Sequence, residues 1–70
     1  SAAALAAFET AQRLAPRDAA IRNNLGNLLV DLGRHGEALA AYRTAVALDP
    51  LYVDAFVNLA LAAEAVQQFD

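Results

Sequence analysis

A shift of 34 residues lays this sequence on top of itself. At that offset 36 positions overlap and ten are identical: Ala4/Ala38, Leu5/Leu39, Ala6/Ala40, Ala7/Ala41, Thr10/Thr44, Ala11/Ala45, Leu14/Leu48, Pro16/Pro50, Asn24/Asn58 and Leu25/Leu59. Phe8/Tyr42 adds an aromatic match. With 19 alanines and 11 leucines among 70 residues, chance alone would supply roughly four or five identities. The matched proline, asparagine and aromatic positions therefore weigh more than the count. A period of this length marks small units that cannot bury their apolar faces alone and must stack on one another.

The local pattern fits helices. Ala and Leu lose little entropy in a helix. Residues 2–15 place Leu5, Phe8, Ala11 and Leu14 about one turn apart, on one stripe. Pro16 ends that helix, because proline lacks the amide and disfavours helix before itself. Asp18 is suited to cap a second helix over 19–32, carrying Ile21, Leu25, Leu28, Leu29 and Leu32. Gly33 fits a C-terminal cap, and Gly33-Arg34-His35-Gly36 a tight turn. A third helix is expected over 36–48, with Leu39, Tyr42, Ala45, Val46 and Leu48 apolar, until Asp49-Pro50 stops it. A fourth is expected over 53–67, with Phe56, Leu59, Ala60, Ala63 and Val66 on its packed side. Phe8, Tyr42 and Phe56 are expected in the core. Gly26, Ala38, Ala45 and Ala60 would let neighbouring helices approach closely. Helices this short need packing to persist. The expected fold is all-α, a solenoid of antiparallel helix pairs with about four helices.

The inventory excludes most chemistry. The only serine is Ser1, the only histidine is His35, and there is no cysteine, so neither a Ser-His-Asp nor a Cys-His device can be assembled. No catalytic, cofactor or metal site is expected. Gly26, Gly33 and Gly36 are too far apart for a phosphate loop and have no lysine beside them. Five scattered arginines against eight carboxylates give a charge of −3, which makes no basic stripe for nucleic acid. No apolar run approaches the roughly 20 residues of a spanning helix, and the start carries no basic segment of a signal peptide. The mean hydropathy is nonetheless +0.32, so apolar surface must find a partner somewhere. His35 is expected as an exposed turn residue, and Arg22 either lies over a helix surface or meets a partner. Soluble cytoplasm is the default expectation for location, and the lysine-free, alanine-rich usage hints at a bacterial genome of high GC content.

The 34-residue unit resembles the tetratricopeptide repeat. In 19–52 the family pattern reads Asn24-Leu25-Gly26-Asn27 in the first helix, Gly33 at the turn, Glu37-Ala38-Leu39, Tyr42, Ala45, then Leu48-Asp49-Pro50. Residues 1–18 are similar to the second helix of a preceding repeat, through Ala4, Phe8, Ala11 and Pro16. Residues 53–70 are similar to the first helix of a following one, through Phe56, Asn58-Leu59-Ala60 and Phe69-Asp70. Arg22, Leu29 and Ala63 depart from large aromatic positions of the family, which implies looser packing there.

The resemblance implies a concave face lined by the first helix of each unit, holding an extended peptide or protein. Ala20, Asn23, Asn24, Asn27, Val30 and Asp31 match its slots on one helix, and Asp54, Val57, Asn58, Leu61, Glu64 and Ala65 on the next. Asn24 and Asn58 are the leading candidates, expected one above the other. A carboxamide donates and accepts at once and so can pair with a peptide backbone. The pattern is similar to the asparagine ladder in the repeat region of O-linked N-acetylglucosamine transferases. The competing reading is that these asparagines bond a neighbouring helix or face water. The slots that hold Lys and Arg in carboxylate-clamping members are Asn, Ala, Val and Asp here, so a carboxylate clamp is not expected. Asp31, Asp54 and Glu64 would favour a neutral or basic ligand, or merely solubilise a helix face. The expected function is non-catalytic protein binding. Alternatives are self-association into a homo-oligomer through the end helices, and the docking arm of a larger enzyme such as a glycosyltransferase.

Overall fold

The computed structural model describes residues 2–69. Among them are four helices and no strand: α1 (Ala2–Leu14), α2 (Ala19–Asp31), α3 (His35–Leu48) and α4 (Val53–Phe69). Each packs antiparallel on the next in chain order, with α2 and α3 in the most extensive contact, and α4 also touching α2. The result is a thin slab of 34 × 30 × 13 Å, an α-solenoid as the period predicts.

The turns repeat as the sequence does. Ala15 and Asp49 each accept a bond from the amide three residues on, Asp18 N to Ala15 O at 3.1 Å and Tyr52 N to Asp49 O at 3.1 Å. Pro16 and Pro50 fill the second position of these turns, where a fixed φ is an advantage. Asp18 then caps α2, its Oδ1 accepting from the Ala20 amide at 3.0 Å. Between α2 and α3 the reversal is tighter. Gly33 takes φ +75°, and its amide reaches Val30 O at 2.9 Å while Arg34 N reaches Leu29 O at 2.8 Å. This paired closure of a helix end requires a left-handed residue, which glycine supplies without strain. Because it completes the reversal by Arg34, His35 and Gly36 belong to α3 rather than to the turn. Exposed Arg34 also pairs with Glu37 in the first turn of α3 (Nη2 to Oε1, 2.8 Å). That contact lowers the Glu37 carboxyl and raises the Arg34 guanidinium from their ordinary values.

The core is small and made mostly of alanine. Leu29, Ala38, Ala41, Tyr42 and Ala62 form one cluster; Ala19, Ala45 and Ala55 form a second. Gly26 is buried under Tyr42, so close that a Cβ there would lie 2.4 Å from the ring. Of the three aromatic residues expected in the core, Tyr42 is buried, Phe8 is half-buried, and Phe56 is 45% exposed. Ala60 and Ala63 are exposed as well. In α4 the packed stripe runs instead through Ala55, Leu59 and Ala62. The reason lies in the neighbours: α3 covers α4 from one side, and the side bearing Phe56, Ala60 and Ala63 has no helix on it.

Candidate functional site

The face shared by α2 and α4 forms a groove, and α3 contributes its floor through Tyr42. One section is polar, lined by Asn23, Asn24, Asn27, Tyr52, Asp54, Val57 and Asn58. The other is an apolar cup of about 290 Å³ lined by Val30, Leu61, Ala62, Ala65 and the Tyr42 ring, with Asp31 and His35 beside them. Asn27 and Asn58 border both sections.

A carboxamide cluster joins the two helices. Asn58 Nδ2 donates to Asn23 Oδ1 at 3.0 Å and to Asn27 Oδ1 at 3.5 Å. Tyr42 donates its hydroxyl to Asn27 Oδ1 at 2.6 Å. Asn23 is 5% exposed, and its bond to Asn58 satisfies a carbonyl that would otherwise be costly to bury. These bonds engage Oδ1 of Asn27 and Nδ2 of Asn58. Those bonds use neither the donor of the Asn27 carboxamide nor the acceptor of the Asn58 one. Burial, and then the Asp31 carboxylate, push the Tyr42 phenol above its ordinary value, which holds it neutral and a donor.

The expected stacking of Asn24 on Asn58 is replaced by another register. Position 58 falls between Asn23 and Asn27, one turn apart on α2, and bonds to those two, while Asn24 lines the same polar section. Asp54 joins the same section, and Asp31 and Leu61 line the cup. Glu64 lies exposed on α4 and lines neither section. Ala20 borders a separate depression with Arg17 and Leu48.

Four contributors carry no groove expectation in the sequence, one of them Ala62, which lines the cup from the packed stripe of α4. Tyr42 serves the core and the floor together; its signal is a hydroxyl where the 34-residue counterpart Phe8 has none, since a buried tyrosine hydroxyl requires a partner. His35 is half-buried at the start of α3 rather than exposed, and Tyr52 enters from the turn before α4. Arg22 is half-buried beside Ala40, Ala41 and Thr44, and its Nε has no hydrogen-bond partner.

No group of three or more potential metal ligands occurs among the described residues. No helix there is long and apolar enough to cross a membrane.

Comparison with known proteins agrees with this architecture. Two peroxisomal targeting signal receptors, from Kluyveromyces lactis and Saccharomyces cerevisiae, are each 42% identical to the chain over 55 residues, 79% of its length. The chain spans only about a tenth of the length of these relatives, 10% and 9% respectively. No solved structure matches at a significant level. A family model described as TPR repeat matches residues 26–67, the stretch that holds the Gly33 turn, the Tyr42 contact and most of the groove. The chain belongs to the tetratricopeptide repeat family.

Proposed function

We propose that the groove between α2 and α4 binds an extended peptide segment of another protein, without catalysis. The carboxamide cluster takes the peptide backbone through Asn27 Nδ2, Asn58 Oδ1 and Asn24. The cup takes one apolar side chain. The observation that carries this reading is the junction of the two sections at Asn27 and Asn58, where polar main-chain contacts and an apolar anchor sit side by side. Asp31 and Asp54 line the groove, and no Arg or Lys does, so the charge complement of the ligand is neutral or basic. Both relatives are named as receptors for a targeting signal, and recognition of a partner molecule is the activity supported here.

An array of extended peptides tests this, with leucine or valine flanked by arginine in one series and by glutamate in the other. The arginine series is expected to bind and the glutamate series to fail. Asn24→Ala with Asn58→Ala should weaken binding about tenfold, each lost hydrogen bond contributing about 0.5–1.5 kcal/mol; because Asn58→Ala also unpairs the buried Asn23 carbonyl, the urea midpoint should fall while helicity without denaturant is kept. Equal binding of the two series would refute the charge preference. Unchanged affinity of the double variant would remove the carboxamides from the site.

A further inference from the structure

The two sections of the groove follow one another along α4. Asp54 stands in the first turn of that helix and lines the polar section. Asn58 comes one turn later, and the apolar wall of the cup runs from Leu61 to Ala65. α2 keeps the same order, with Asn23 and Asn24 in the polar section and Val30 and Asp31 at the cup. The cup residues Leu61, Ala62 and Ala65 lie seven, eight and eleven positions beyond Asp54. At about 1.5 Å per residue, the centre of the cup is about 13 Å from Asp54 along the helix.

An extended peptide advances about 3.3 Å per residue, and its side chains alternate between two faces. Four residues therefore span about 13 Å, and side chains four apart point the same way. With one side chain seated in the cup, the residue two positions on faces the carboxamides. The residue four positions on faces Asp54, and those at three and five positions face away from the groove. We propose, resting on the reading of the groove as a peptide site, that its ligand carries an arginine or lysine four residues from the apolar residue in the cup, paired with Asp54.

Charge at this end of the groove agrees. Asp54 is exposed, and no base lines the polar section. On the other side of Tyr52 a depression holds Arg17 together with Asp18 and Asp49, so three carboxylates stand against one base. Asp18 and Asp49 each accept a backbone amide, from Ala20 and Leu51, and of the three only Asp54 lines the groove. Asp31 lies at the cup itself, so its charge acts beside the anchor and not four residues from it. An exposed ion pair is weak; what Asp54 supplies is chiefly a preferred spacing.

A spacing scan tests the proposal, with binding to the chain read by fluorescence anisotropy. Each peptide carries one leucine in a serine–glycine background and one arginine, moved from the first to the fifth position on either side of it. A twin with glutamine in place of the arginine accompanies each. Arginine at the fourth position on one side is expected to tighten binding about two- to fivefold over its twin. At the third and fifth positions no comparable gain is expected, and high salt should remove the gain at the fourth. Asp54→Asn should bring the ratio between the twins at the fourth position to about one, whereas Asp31→Asn should keep it. Equal gains at all positions, a maximum at the third or fifth, or a gain at the fourth that survives Asp54→Asn overturns the proposal and leaves the groove a peptide site. Failure of every peptide to bind overturns the peptide site and the proposal together. If Asp54→Asn loses helicity, the scan on the unaltered chain still decides.

Discussion

Tyr42 meets Gly26 with its ring and Asn27 with its hydroxyl, so one side chain ties the α2–α3 contact to the groove. Two opposing effects meet at Gly26. Alanine would gain roughly 0.8–1 kcal/mol of helix propensity over glycine, but its methyl would lie 2.4–2.7 Å from three atoms of a ring that is 2% exposed. Overpacking of this kind costs about 1–3 kcal/mol and outweighs the propensity gain. Gly26→Ala is therefore expected to lower the urea midpoint, and a raised midpoint would show that the ring yields freely. A small residue at 26 and an aromatic at 42 are legible in the sequence, but that the one lies under the other is not. The partner of Asn58 is not, because the repeat places Asn24 and Asn58 at equivalent positions without fixing the offset between neighbouring helices. Packing sets that offset, and it brings Asn58 between Asn23 and Asn27.

At the scale of the helix, boundaries follow caps. Asp18 reaches the Ala20 amide, the left-handed Gly33 closes α2, and two prolines hold matching turns. Each of these is readable because its cause is local. Asp18→Ala removes a side-chain cap worth about 1 kcal/mol and should lower stability by that amount in denaturant titration; Asp18→Asn, which keeps an acceptor, should lose less. An equal loss in the two variants would assign the effect to charge instead. The packed face of α4 differs from the expected one for a non-local reason. Periodicity identifies an apolar side, and α4 is apolar around much of its circumference. Ala55 and Ala62 are buried because α3 lies on them, while Phe56 and Ala60 wait on a side with no neighbour. His35 lies in α3 rather than the turn because the paired closure at Gly33 needs fewer residues than the glycine spacing suggests.

Across the whole molecule, burial is uneven, and so must be the free energy of opening. A core of this size gives only a few kcal/mol of net stability. Most of it lies between α2 and α3, which hold eight of the ten buried positions among the described residues. α1 buries nothing and leans on α2; α4 buries Ala55 and Ala62 against α3. A segment opens more readily the less apolar surface it buries. Amide hydrogen exchange should therefore be fastest in α1, intermediate in α4 and slowest in α2 and α3, where it reports global unfolding. Uniform protection along the chain would mean that the four helices open as one unit and that α1 is held by more than its packing on α2.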